Sequence, residues 1–231
     1  MRIIGIVGRA YFNKDNQKIF QVNENIRKAF TNYDDIVCIE ILPTNDIYYP
    51  LTKMGEDNID VIDEKKLDYV LDKCDGFIIP GGSYFYKFDE YVVKYAIDNN
   101  KPLLAVCLGF QAICSMFSDN RSKFDMTEKL DDDSHCGPAN EYVHDISIRK
   151  GTKLYDILEK DKIQVNSIHH DYINFIPKDL IVSAYSSEDN VIEAIELDNH
   201  KCFIGLEWHP EYLMDEDSIK IFNYFVENIK K

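Results

Sequence analysis

Positive charge is in short supply. Lys and Arg number 26 against 41 Asp and Glu, which leaves a formal charge of -15 at pH 7. Such a balance argues against nonspecific binding to nucleic acid and against adhesion to an anionic membrane surface, because both reward basic patches. Long apolar runs are missing too. None approaches the roughly 18 residues of a membrane-crossing helix. The opening stretch, Met1 to Gly8, is too short for the core of an export signal and runs into polar residues, so it reads as a first buried strand. There is no internal repeat, no Pro-rich linker and no break in composition, and one domain spanning residues 1–231 is expected. The six cysteines, at 38, 74, 107, 114, 136 and 202, lack the spacing of a disulfide framework. Reduced thiols in a cytoplasmic protein are the expectation. His135-Cys136 and the Asp131 to Asp133 run match no zinc or calcium ligand spacing, so no metal and no other cofactor is expected.

What is present is an ordinary globular composition, 45% hydrophobic and 29% charged. A chain of this length buries roughly 70 to 75% of its unfolded surface. The first half alternates. Strands are expected at 2–8, 35–42, 76–79 and 102–106, and helices at 19–30, 64–73 and 84–99. That order implies an α/β fold with parallel strands joined by right-handed crossovers, and ligands gather at the carboxyl ends of such strands. Pro80-Gly81-Gly82 and Cys107 both fall at strand ends of this kind. Residues 44–63, with Tyr48, Tyr49 and Pro50, read as a loop near the site, and the polar stretch 118–141 reads as a solvated loop. Strand-like pieces at 143–148, 162–165, 180–185, 191–197 and 202–206 make the second half β-rich, and a helix over 215–229 closes it.

The apolar run Pro102 to Val106 stops abruptly at Cys107, and a helical pattern (Phe110, Ala112, Ile113, Met116, Phe117) starts just behind it. A nucleophile elbow has this outline, with small residues two positions either side of the reactive side chain, here Ala105 and Gly109. Its thiol would stand at a helix N-terminus, where the dipole and the free N–H groups favour thiolate. A thiol nucleophile needs a base, a group that orients the base, and donors for the oxyanion. Candidate bases are His144, the pair His169-His170, and His209. His209 follows the apolar run 202–206, and Glu211 lies two residues on, so both side chains can leave one strand-end loop on the same side. That makes His209 the base and Glu211 its orienter. Taken singly, a core cysteine, a loop histidine and a tight Pro-Gly-Gly turn would explain the same residues; their joint occurrence at strand ends carries the reading.

Four segments, Asp75 to Gly82, Pro102 to Gln111, Val165 to His170 and Gly205 to Glu211, together resemble the class I glutamine amidotransferase superfamily. Within it, the Val-Asn-Ser-x-His-His string and Glu193-Ala194 look most like the gamma-glutamyl hydrolase family that includes bacterial gamma-glutamyl-gamma-aminobutyrate hydrolases. The resemblance implies a flavodoxin-like, mostly parallel sheet flanked by helices, with a β-rich C-terminal half. It implies a nucleophile at Cys107 that forms a gamma-glutamyl thioester, with His209 and Glu211 completing the triad. The backbone N–H groups of Gly82 and Leu108 would form the oxyanion hole. Gly81, Gln111, Asn166, Ser167 and His169 would line the glutamyl pocket, and His170 is either a supporting group or a packed histidine. Two residues depart from the pattern. Ala105 stands where the family usually has glycine, and Leu108 stands where the hydrolase branch often has arginine; leucine there is similar to the glutaminase subunits of amidotransferases. The leading expectation is a stand-alone hydrolase of a small gamma-glutamyl conjugate, whose leaving amine is chosen by residues 44–63, 83–90 and 118–141. The alternative is a glutaminase that passes ammonia to a partner synthetase, and a third reading is an inactive binding or regulatory member of the fold. A homodimer stays open.

Overall fold

Leu103 to Val106 and Phe203 to Leu206 are apolar at every position, the pattern of strands covered on both faces. In the computed structural model, which describes residues 1–44, 64–117, 127–130 and 133–229, they lie side by side in mid-sheet. In chain order the first half holds β1 (Arg2–Val7), β2 (Arg9–Phe12), β3 (Lys18–Gln21), α1 (Glu24–Lys28), β4 (Ile36–Ile41), α2 (Glu64–Leu71), β5 (Gly76–Ile79), α3 (Lys87–Asp98), β6 (Leu103–Val106) and α4 (Leu108–Met116). The second half holds β7 (Thr127–Lys129), β8 (His144–Ile148), α5 (Lys153–Leu158), β9 (Lys162–Val165), β10 (Asp171–Ile173), β11 (Leu180–Ser186), β12 (Ile192–Leu197), β13 (Phe203–Leu206), α6 (Pro210–Leu213) and α7 (Glu216–Asn228).

Among the described residues nine strands join in the order β4-β1-β5-β6-β13-β12-β11-β8-β9. The first five are mutually parallel, and the last four continue the sheet antiparallel. Because side chains alternate along a strand, β6 sends Leu103 and Ala105 to one face and Leu104 to the other. Leu103 and Ala105 join Phe77, Phe110 and Phe203 beneath α2, α3 and α4. Leu104 joins Ile78, Ile204, Leu206, Trp208, Phe222 and Phe225 on the face covered by α1, α5 and α7. Cys107 and His209 therefore emerge from the ends of two adjacent parallel strands, buttressed from both sides. No described helix is long and apolar enough to cross a membrane.

Several local expectations are corrected. The helix expected over 19–30 is instead the second strand of a hairpin followed by a short helix. Arg9 to Phe12 pairs antiparallel with Lys18 to Gln21, and the Asn13 side chain closes the turn by accepting from the N–H groups of Asp15 and Gln17. Asn23 then caps α1. The strand expected to be buried at 35–42 is an edge strand in which only Ile41 is buried. The stretch read as solvated around 133–137 carries a buried histidine, His135, and β7 pairs with β10. Helix α5 was not anticipated. Thr152 caps it, and the Glu196 carboxylate accepts from the N–H groups of Lys153 and Leu154 at 2.9 Å each. The readings placed on 45–63 and on 118–126, 131 and 132 lie outside the described residues.

Candidate active site

The elbow is built by backbone constraint. Strand β6 runs beside β13, and the Cys107 N–H donates to the Leu206 carbonyl at 2.7 Å. Cys107 itself then turns with φ 49° and ψ -111°, a conformation that costs a non-glycine residue about 1–3 kcal/mol. Positive φ thus falls on the cysteine, and Ala105 sits in regular strand between Ile79 and Gly205, where alanine is unstrained. Gly109 has no such freedom. A Cβ there would lie 2.2 Å from the Ile79 carbonyl oxygen, so only glycine lets α4 pack this close to β5.

One strand over, β13 ends and His209 opens α6, with Pro210 at the first helical position. Asn166 grips the backbone of His209 from both sides, accepting from its N–H at 3.0 Å and donating to its carbonyl at 2.9 Å. The imidazole Nδ1 meets Glu211 Oε1 at 2.7 Å, and the carboxylate is almost wholly buried. With Nδ1–H donated to Glu211, Nε2 is left for Cys107. Burial pulls the pKa of His209 down, but the charge of Glu211 and the Cys107 side chain outweigh it and hold the imidazole well above its usual range.

The Pro80-Gly81-Gly82 turn closes the third side. A Cβ on Gly81 would lie 2.9 Å from His209 Cε1 and 3.4 Å from Cys107 Cβ, so its backbone abuts the imidazole and the Cβ of Cys107. Gly82 packs instead on Arg9, at 3.0 Å from Cβ position to Cδ. Arg9 is the contributor that the sequence reasoning missed. Its buried guanidinium donates to the Pro80 carbonyl through Nε at 3.0 Å and Nη2 at 2.6 Å and pairs with Asp89 at 2.8 Å. Asp89 in turn accepts from the Tyr86 N–H at 2.7 Å, so one buried ion pair sets the shape of the turn. A cavity of about 260 Å³ opens here, lined among others by Arg9, Gly81, Gly82, Ser83, His209 and Tyr212.

The remaining candidates lie outside the cavity lining. Gln111 donates to Glu207 Oε1 at 2.5 Å and to the Asp171 carbonyl at 3.2 Å. Ser167 donates to the His135 carbonyl at 2.5 Å, and His169 Nδ1 meets the Asp171 carbonyl at 3.0 Å. These three and Asn166 are buried, and none of them is among the described residues lining the cavity. His144, a candidate base, lies buried beside His135. His170 is exposed, with Nε2 3.5 Å from Cys136 Sγ.

A parallel sheet that delivers a thiol elbow, an adjacent His-Glu pair and a Pro-Gly-Gly turn to one crevice has the class I glutamine amidotransferase-like fold. The glutaminase domain of Trypanosoma brucei CTP synthase, solved with bound acivicin, superposes with a TM-score of 0.66 at 17% identity, over all of this chain and 96% of that one. The chain belongs to the Peptidase C26 family, whose model matches residues 86–211. It is 27% identical to a glutamine amidotransferase-like protein of Rickettsia prowazekii over 71% of this chain and 80% of that protein. It is also 27% identical to the CTP synthase of Staphylococcus aureus, over 74% of this chain and 37% of that enzyme. The chain thus spans about two fifths of the length of these CTP synthases.

Proposed function

We propose that the protein is a thiol-dependent amidohydrolase that cleaves the gamma-amide of glutamine and delivers ammonia to a partner synthetase. The observation that carries the chemistry is the His209–Glu211 contact at 2.7 Å, set against Cys107 on the neighbouring strand end. The Cys107 thiolate attacks the gamma-carbonyl carbon. The resulting oxyanion is received by the backbone N–H groups of Leu108, at the start of α4, and Gly82, in the turn clamped by Arg9. His209, charged against the thiolate, gives its proton to the departing nitrogen, and the C–N bond breaks to leave a gamma-glutamyl thioester. Neutral His209 then takes a proton from water, whose oxygen adds to the thioester and releases glutamate and the free thiol. Glu211 keeps Nε2 aimed at the sulfur throughout.

Leu108 and the likeness to CTP synthases support the glutaminase reading. A second reading, a stand-alone hydrolase of small gamma-glutamyl conjugates, is supported by the Peptidase C26 match and the Val165 to His170 string. We place either reaction in the cytoplasm, where the six unpaired thiols would stay reduced. Mass-spectrometric screening of glutamine and a panel of gamma-glutamyl amines, with wild type and Cys107→Ala side by side, separates the readings. Release of glutamate from glutamine supports the first. Ready turnover of gamma-glutamyl amines with glutamine scarcely touched removes it in favour of the second.

A further inference from the structure

Beneath the triad, four buried side chains from four separate stretches turn their polar atoms toward one point. His135 precedes β8, His144 begins it, His169 lies between β9 and β10, and Glu193 is in β12. All four are more than nine-tenths buried, and one ligand atom from each lies within 4.8 Å of all the others.

Each histidine is anchored from outside by an acceptor. His135 Nε2 meets the Asp189 carboxylate at 2.9 Å, His144 Nδ1 the Asp145 carbonyl at 3.4 Å, and His169 Nδ1 the Asp171 carbonyl at 3.0 Å. A carbonyl or carboxylate can only accept, so the ring proton of each neutral imidazole resides on the outer nitrogen and the inner nitrogen keeps its lone pair. The inner atoms are crowded. Glu193 Oε1 is 3.1 Å from His135 Nδ1, 3.6 Å from His144 Nε2 and 3.7 Å from His169 Nε2, and the inner nitrogens of His135 and His169 are 3.2 Å apart. Among the described residues neither Glu193 oxygen and not His144 Nε2 has a hydrogen-bond partner. Four acceptors that face one another out of reach of solvent repel unless a cation sits between them. Protons relieve this only in part. One on His135 leaves His144 Nε2 unpaired, and a second on His169 sets two imidazolium ions side by side in a buried site. A single dication satisfies all four groups together.

We propose that His135 Nδ1, His144 Nε2, His169 Nε2 and Glu193 form a binding site for one divalent transition-metal ion of the zinc class. Ligand bonds of about 2.0–2.1 Å in a tetrahedron put neighbouring ligand atoms about 3.3–3.4 Å apart, and the four separations above bracket that value. Imidazoles with one carboxylate select zinc-like ions over calcium or magnesium. Outer acceptors of the kind that anchor these rings are what orients metal-bound histidine. Four protein ligands leave no open position, so the site is structural: it ties the 133–137 turn, β8, the β9–β10 connection and β12 into one unit behind the elbow.

The test uses the full chain and its Cys107→Ser variant, purified without chelator or a metal-affinity column, with metal content measured by plasma mass spectrometry and coordination by X-ray absorption. About one zinc per chain is expected in both, in a nitrogen and oxygen shell without sulfur. Glu193→Gln and His144→Asn are expected to lose at least nine-tenths of the metal, while the exposed His170→Asn retains it. Protein stripped by chelator is expected to melt at a lower temperature and to recover on adding zinc. A chain that holds no metal as purified or after incubation with zinc would overturn the proposal, as would metal that disappears with Cys107→Ser. If the cluster variants do not fold, the wild-type and Cys107→Ser measurements decide by themselves.

Discussion

Asn166 and His209 exchange a pair of hydrogen bonds, with the amide side chain of one bridging both backbone polar groups of the other at 3.0 and 2.9 Å. The same Asn166 amide donates to the Ala139 carbonyl at 2.5 Å, so both of its N–H groups are engaged and the loop that carries His209 is tied to the stretch around residue 139. Asn166→Ala should lower kcat about 10–100-fold, the equivalent of the roughly 1–3 kcal/mol that an unmet buried hydrogen bond costs, and should leave KM within about threefold by our estimate. Steady-state kinetics with glutamine checks the split; a rise in KM at constant kcat would instead make Asn166 a substrate contact.

Arg9 and Asp89 form an ion pair out of solvent, and removing one member strands the other. Arg9→Met should destabilise the fold by about 3–5 kcal/mol, with Arg9→Met combined with Asp89→Asn recovering much of the loss. Urea unfolding of the two singles and the double closes the cycle. Equal loss in single and double variants would mean that the guanidinium acts mainly through Pro80.

Coupling between His209 and Cys107 sets a sign for pH dependence. An imidazole whose pKa is raised stays charged to higher pH, and in that form it favours thiolate beside it. Glu211→Gln removes a main source of that rise, so the imidazolium should be lost at lower pH and the iodoacetamide-labelling profile of Cys107 should move to higher pH. His209→Ala should move it further in the same direction. Labelling profiles that coincide with wild type would count against this pairing.

Backbone strain at Cys107 has a measurable size. Glycine accepts φ 49° with ψ -111° without a Cβ clash, so Cys107→Gly should be more stable than Cys107→Ala by about 1 kcal/mol, even though glycine loses more chain entropy on folding. Midpoints of urea unfolding compare the two directly.

Much of the fold was legible because the central strands are buried on both faces. Gly76 to Ile79, Leu103 to Val106 and Phe203 to Leu206 read as apolar runs, and Pro-Gly-Gly, the cysteine and the His209 loop follow them in that order. Local pattern failed where pairing is decided by distant residues: Lys18 to Gln21 becomes a strand by pairing with Arg9 to Phe12, and Ile36-Val37-Cys38 lies in the edge strand of the sheet formed by the described residues despite its apolar composition. Cys107, His209 and Glu211 could be picked out because each sits at a strand end with a short local motif around it. Arg9 could not, since a lone arginine after a first strand signals nothing until the fold brings Pro80 and Asp89 to it. The His135, His144, His169 and Glu193 cluster was invisible for the same reason. Its members are scattered over four segments, and no ligand spacing links them along the chain.

The central claim is that Cys107 carries the glutamyl group. Mass spectrometry of protein quenched in acid during turnover of glutamine should find one glutamyl adduct on the peptide that contains Cys107, and no adduct or turnover in Cys107→Ala. Glutamate release that persists in Cys107→Ala, or turnover by wild type with the adduct on another residue, would contradict the account.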